Sequence, residues 1–475
     1  MSRTRLPLAL AALAALVGAP GCGSSERPAP VLVVGVDGFE WDVALPLLAE
    51  GRMPHLAGLM ERGAYGLLET SQPTFSPILW TTIATGKDAR AHGIGGFVKP
   101  RRAPGEPQAL FSNSDRRTKA VWNIASDAEL EVAVVGWWMT FPAEPVNGVM
   151  VAQTNTSDQA DVAGGKNIWK GALLRDVPGQ VWPAAREAQV WSSFEAAAAR
   201  LDATEREIFG TFQHPHSELA RRLWENCSWA FRADAVYADL TADLLAERAG
   251  RDLTLVYLGG PDVVGHRFWR WREPERFADR PPAGEVADLG HVIDDYYAYV
   301  DGVLGRLLAA AAPDTRVLVV ADHGMHAVNL EREFDDDAPT GDVNSGHHLD
   351  APPGIVVVAG PGLRRADAAP DLATLTQADL PRLAHILDVA PTLLALLGLP
   401  VGDDMPGLPA PALLDDPTLA AANARTRVPT HDTPEWIAAH AALQAVDPGA
   451  AERLQQLQRL GYVGEDGAPV EPDGE

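Results

Sequence analysis

Five places in the sequence gather side chains that hold metal ions or attack electrophiles. Asp37 stands in Val36-Asp37-Gly38. Asp262 and His266 lie four apart in GPDVVGH. Asp322 and His323 are adjacent and followed by Gly324. His347 and His348 are adjacent after Ser345-Gly346. Ser76 lies in Pro73-Thr74-Phe75-Ser76-Pro77. Carboxylate oxygens and imidazole nitrogens are the donor set of Zn²⁺, with Mn²⁺ or Fe²⁺ also compatible. Three Asp and at least three His exceed one tetrahedral site and fit two. Each segment alone also has a plain reading: an Asp-Gly turn, a helix cap beside a solvated His, a loop with two imidazoles. Ser76 precedes a helix-like run, Ile78 to Thr85, with Pro77 expected at the first helical position. As an N-cap its hydroxyl contributes about 1 kcal/mol. The same helix N-terminus favours an anionic phosphate, and a coordinated metal converts a hydroxyl into an alkoxide nucleophile.

The elements that position these groups are legible from periodicity. Val31–Val36, Glu131–Gly136, Leu253–Leu258, Val317–Ala321 and Gly354–Ala359 are short continuous apolar runs, the pattern of strands buried on both faces. Apolar residues three to four apart at Ile293, Tyr296/Tyr297, Val300, Leu304 and Leu307/Leu308 predict an amphipathic helix. Ile386–Leu397 predicts another, interrupted at Pro391 and followed by Gly398. Strands alternating with helices imply an α/β fold, a mostly parallel central sheet covered on both faces. In such a sheet the carboxyl ends of the strands open into one crevice, which brings distant ligands together. Residues 155–232 break the rhythm, with helical pieces such as Phe194–Ile208, and read as an insertion over the core. His214, His216, His291, His385 and His440 lack placement beside strand ends and read as structural or solvated. His92 and His326 lie nearer the strand-end ligands. Trp137-Trp138, Trp269 and Trp271 could wall a pocket, and Arg270 and Arg272 could attract phosphate.

The chain has 475 residues with 39 Lys+Arg against 64 Asp+Glu, a net charge of −25. So acidic a surface repels a nucleic-acid backbone and argues against a nucleic-acid scaffold. It leaves a small phosphate substrate open, provided metal ions supply the positive charge. Two cysteines exclude a disulfide framework. At the start, Arg3 and Arg5 precede an apolar run, Leu6 to Val17, too short to span a bilayer. Ala19, Pro20 and Gly21 then lead to Cys22. This start resembles a bacterial lipoprotein signal, cleaved before a cysteine that is lipidated. An ordinary secretory signal is the plainer reading.

Taken together, the segments resemble the alkaline phosphatase superfamily, most closely its type I phosphodiesterase/nucleotide pyrophosphatase branch. They are VLVVGVDGFEWD (31–42), QPTFSPILWTTIATGKDARAHGI (72–94), VYLGGPDVVGHRFW (256–269), VVADHGM (319–325), SGHH (345–348) with GIVVVAGPG (354–362), and DVAPTLLALLGLP (388–400). The resemblance implies a three-layer αβα sandwich with an inserted cap and two divalent ions, Zn²⁺ foremost. It implies Asp37, Ser76, Asp322 and His323 on one metal and Asp262, His266 and His348 on the other. His348 is preferred to His347 because the family pattern is Gly-x-His. Ser76 would be the nucleophile and form a phosphoseryl intermediate during hydrolysis of a small phosphoester. A formylglycine sulfatase is rejected, because Ser76-Pro77-Ile78-Leu79-Trp80 lacks the required x-Pro-x-Arg. The other readings are a phosphonate or phosphomonoester hydrolase or phosphotransferase on the same metal cage, and a non-catalytic, metal-stabilised surface lipoprotein.

The expected organisation is a signal at 1–21, a tether at 22–30, core at 31–154, cap at 155–232, core at 233–400, a C-terminal wrap at 401–463 and a disordered tail at 464–475. The expected location is a bacterial membrane, through a lipid on Cys22. Oligomeric state is left open.

Overall fold

The computed structural model describes residues 28–100, 109–154, 173, 177–209, 218–334, 344–350, 352–366, 368–443 and 454. The signal segment, Cys22, most of 155–180 and the tail at 464–475 therefore lie outside the described residues. Among the described residues nine strands form one sheet: β1 (Val31–Val36), β2 (Ala64–Glu69), β3 (Val132–Val135), β4 (Gly148–Val151), β5 (Val181–Trp182), β6 (Leu253–Leu258), β7 (Arg316–Val320), β10 (Gly354–Ala359) and β11 (Arg382–His385). Their order is β11-β2-β10-β7-β1-β6-β3-β4-β5. A separate two-stranded ribbon joins β8 (His326–Ala327) to β9 (Gly346–His347). The five runs expected from hydrophobicity are all strands of the large sheet. β2, β4, β5 and β11 are additional.

All six residues of β1 are buried. Leu32, Val34 and Val36 join a core shared with helices Trp41–Ala49, Pro54–Arg62, Glu218–Glu247, Gly260–Arg272 and Val292–Ala310. Val31 and Val33 join the opposite core, with helices Ser76–Thr85, Val121–Asp127 and Ile386–Leu396. Period-two alternation thus feeds apolar side chains to two helix layers, an α/β sandwich around a mostly parallel sheet. The Ile386–Leu396 helix runs unbroken through Pro391, contrary to the expected interruption. Its residues from Val389 to Leu396 are buried, and that packing outweighs one lost backbone hydrogen bond.

Two strands run against the rest. β10 is antiparallel to both β7 and β2, and β5 is antiparallel to β4. The reversal of β10 matters for the site. Its amino end lies beside the carboxyl ends of its neighbours, so the segment preceding it joins the same crevice. The cap boundary at residue 232 falls inside the Glu218–Glu247 helix. Tyr237 on that helix packs where a side chain at Gly136, just after β3, would stand, so this half of the helix belongs to the layer on the sheet.

Candidate metal centre

Three of the chemistry-bearing segments leave the carboxyl ends of adjacent strands. Asp37 follows β1, and its amide donates to Leu258 O at 2.9 Å, which ties the turn to the end of β6. Gly38 adopts φ +64° there, and a β-carbon would stand 3.0 Å from Asp262 Cα, so both the backbone shape and the close approach require glycine. Asp262 lies in the first turn of the helix that follows β6, and His266 lies one turn further on. Asp322 and His323 follow β7. His348 comes just after β9, in the segment before β10. All six side chains are buried.

Asp37, Asp322 and His323 present ligand atoms within 4.8 Å of one another, and so do Asp262, His323 and His348. His323 Nε2 stands 3.3 Å from Asp37 Oδ1 and 3.5 Å from Asp322 Oδ2. Asp262 Oδ1 stands 3.3 Å from His266 Nε2 and 3.6 Å from His348 Nε2. Hydrogen bonds at the far ring atoms set the tautomers. His266 Nδ1 donates to Gly346 O at 3.0 Å, and His323 Nδ1 donates to Gly324 O at 2.9 Å. The Thr74 hydroxyl spends its proton on His348 O at 2.7 Å, so its oxygen accepts from His348 Nδ1 at 3.2 Å. His266 and His348 thereby turn an unprotonated Nε2 towards the carboxylates, and His323 Nε2 faces the same centre, the arrangement a metal ligand needs.

The donor set fits divalent cations on its own energetics. Asp37 Oδ1, both Asp322 oxygens and His323 Nε2 are sealed from solvent and make no hydrogen bond. Buried polar atoms so placed are costly unless an ion satisfies them. Burial, with the Asp37 carboxylate beside it, drives the Asp322 carboxyl well above its ordinary range. Burial would lower His323, but Asp322 and Asp37 push it up to about 10. Such shifts mark a cluster of negative charge that a cation would stabilise.

Ser76 is the first residue of the Ser76–Thr85 helix, Pro77 is the second, and the cap position is Phe75. The expected register was one residue late. The amides of Ile78 and Leu79 donate to Phe75 O, so the Ser76 hydroxyl does not cap the helix. Ser76 is buried, and Trp80, one turn along the same helix, donates from Nε1 to Asp37 Oδ2 at 3.0 Å. Residues four apart share a helix face, so the face bearing Ser76 is the one turned to Asp37.

Several residues that support the site escaped the sequence reading. Tyr257 looked like a core strand residue, yet its hydroxyl donates to Asp37 Oδ2 at 2.6 Å. With Trp80 it occupies one Asp37 oxygen and leaves the other to the centre. Asp234 accepts from Gly259 N at 2.8 Å, Gly260 N at 2.9 Å and Tyr296 OH at 2.9 Å, so it caps the Asp262 helix from another helix. Burial pushes its carboxyl up to about 7 against those bonds. Glu40 accepts from Met325 N at 3.0 Å and from Gln377 Nε2 at 3.1 Å, and burial pushes it up to about 8. A β-carbon at Gly324 would fall 2.0 Å from Glu40 Oε2, so the glycine after His323 makes room for this carboxylate. The one available signal was that Glu40 follows Asp37 closely.

Other candidates are committed elsewhere. His92 Nε2 meets Thr82 Oγ1 at 3.2 Å, and His326 pairs with Asp350 at 2.7 Å. His291 pairs with Asp295, His385 caps the Ile386–Leu396 helix, and His440 pairs with Glu144. His214 and His216 lie outside the described residues. Arg270 and Arg272 are held by Asp279 and Asp294. Trp137, Trp269 and Trp271 are core residues, whereas half-buried Trp138 stands 6.1 Å from the Tyr257 ring and 5.8 Å from Phe97.

The family model described as type I phosphodiesterase/nucleotide pyrophosphatase matches residues 31–381. No curated protein sequence matches the chain. Solved structures with a related fold include phosphonoacetate hydrolase from Sinorhizobium meliloti 1021, at 19% identity, 63% of this chain, 57% of that chain and a TM-score of 0.38. The chain thus spans little more than half of that hydrolase's length. Human ectonucleotide pyrophosphatase/phosphodiesterase 5 aligns at 13% identity over 78% of this chain and 95% of its own, TM-score 0.43. A variant of the alkaline phosphatase PafA aligns at 14% identity over 82% of this chain and 99% of its own, TM-score 0.48.

Proposed function

The chain belongs to the type I phosphodiesterase/nucleotide pyrophosphatase family, and from that premise we propose that it is a metal-dependent hydrolase of phosphoric esters, phosphodiesters foremost. The observation that carries this reading is the buried Asp/His cluster, with its unsatisfied carboxylate oxygens, beside the helix turn that begins at Ser76. Asp37, Ser76, Asp322 and His323 would hold one divalent ion, and Asp262, His266 and His348 the other, Zn²⁺ being the ion their chemistry suits best. Bound ions supply Lewis-acid stabilisation of the serine alkoxide and of the departing oxygen.

The chain's own part follows. Ser76 Oγ attacks phosphorus; the new O–P bond forms as the ester O–P bond breaks, the hydroxyl proton passes by way of solvent to the departing oxygen, which leaves as the alcohol, and a phosphoseryl intermediate results. Water then cleaves it, releasing the phosphoryl product and restoring the hydroxyl. Tyr257 and Trp80 fix Asp37, Thr74 fixes His348, and the buried setting strengthens each of these interactions. Ser76→Ala should abolish turnover of a chromogenic phosphodiester while the fold, followed by circular dichroism, is retained. Near-native turnover by that variant would overturn the reading. A parallel screen of phosphomonoesters, phosphonates and alcohol acceptors ranks the related chemistries.

The location proposed is a bacterial membrane, through a lipid on Cys22. Among the described residues no helix is long and apolar enough to cross a membrane. The sequence before Cys22 supports this reading, and Cys22→Ser should move the protein from the membrane fraction to the soluble fraction.

A further inference from the structure

His347 was set aside as a ligand in favour of its neighbour, and its geometry points to a different task. Its Nδ1 accepts two backbone amides, from His348 at 2.8 Å and from Leu349 at 3.0 Å. An atom that accepts twice carries no proton, so the ring's proton sits on Nε2 and that atom is a donor. This is the reverse of His266, His323 and His348, whose protons lie on Nδ1. The ring stands 5.2 Å from His266 and 5.0 Å from His348, centroid to centroid, directly against two of the proposed ligands. β9 pairs with β8, His347 opposite His326, and this ribbon holds the ring at the edge of the centre. His347 is half-buried, and among the described residues Nε2 has no hydrogen-bond partner.

Resting on the hydrolase reading above, we propose that His347 is a catalytic residue whose Nε2–H donates a hydrogen bond to an oxygen of the phosphoryl group bound at the Asp262–His266–His348 side. The proton is shared and not transferred, and the ring stays neutral. A fixed donor held by two backbone bonds needs no reorganisation as charge develops on that oxygen.

The competing account is that His347 merely caps its own turn. Two substitutions separate the accounts, because Asn mimics the Nδ1 acceptor and Gln mimics the Nε2 donor. Under the proposal, His347→Asn keeps the turn, metal content and melting temperature but lowers kcat/KM about 100-fold. His347→Gln then recovers most of that loss. Binding of inorganic phosphate to the metal-loaded full chain, followed by calorimetry, should weaken in the Asn variant and recover in the Gln variant. Wild-type behaviour of the Asn variant in both assays, or a Gln variant no better than His347→Ala, overturns the proposal. If the wild type hydrolyses no phosphoester yet phosphate affinity follows the predicted order, the contact stands and the hydrolase reading falls.

Discussion

At the scale of single residues, the Asp and His side chains that gather at the centre were legible and their orienting partners were not. Asp37, Asp262 and Asp322 stand where apolar runs end, and polar residues at those points announce themselves. Tyr257 does not, because inside Leu253–Leu258 it has the composition of an ordinary buried strand residue. Its role exists only once β6 lies beside β1, as Val34–Val256 and Gly35–Tyr257 pairing requires. Tyr257→Phe removes one of two donors to Asp37 Oδ2 and keeps the ring. The expected result is metal affinity lower by about 10- to 100-fold, with the fold retained, measured by chelator competition. Thr74→Val should likewise weaken the ion beside His348, because it removes the acceptor that fixes that imidazole.

At the scale of elements, the strands buried on both faces were readable and the exposed or short ones were not. β2 carries Gly66 in its middle, β4 offers three apolar residues after a half-buried Gly148, and β11 is exposed at Arg382 and half-buried beyond it, so none stands out as a long apolar run. Direction was not readable at all: nothing in GIVVVA says that β10 runs backwards. Nor did any local signal show that Asp234 caps the helix bearing Asp262. Asp234→Ala should lower stability by about 1–3 kcal/mol in urea unfolding and loosen metal binding at Asp262.

The C-terminal Pro434–Ala441 helix docks through a second buried carboxylate. Glu144 bonds Arg116, Trp122 Nε1 at 2.7 Å and His440 Nδ1 at 3.1 Å. Burial alone would raise its carboxyl, but Arg116, with His440 and Trp122, holds it at about 2, against an ordinary 4.5. Between those values the unfolded chain binds a proton that the folded chain does not. This contribution to stability is therefore complete above pH 4.5 and is lost as pH falls through about 2. Urea unfolding across that window should show the loss in the wild type and a flatter profile in Glu144→Gln, which is itself destabilised at neutral pH because Arg116 is left without its charge partner.

At the scale of the whole molecule, a net charge of −25 and a centre built on three buried aspartates would make bound cations, on the proposed reading, part of the folding energetics. Binding to the folded state alone stabilises by about 4 kcal/mol when free metal is 1,000-fold above its Kd. Chelation should therefore lower the melting temperature, and two equivalents of Zn²⁺ per chain should restore it. The fold class followed from alternating strands and helices, while the shared edge depended on a strand reversal that only the assembled sheet reveals. That reversal has a consequence in time. Thr74 and His348, which touch across the centre, are 274 positions apart in the chain. The centre thus cannot be completed before residue 348 is made, and no piece that begins at the amino end and stops short of His348 carries the full donor set. On the two-ion reading, capture of the second ion would be a readout of a finished sheet, and its rate would be bound to the slow, long-range pairing that closes it.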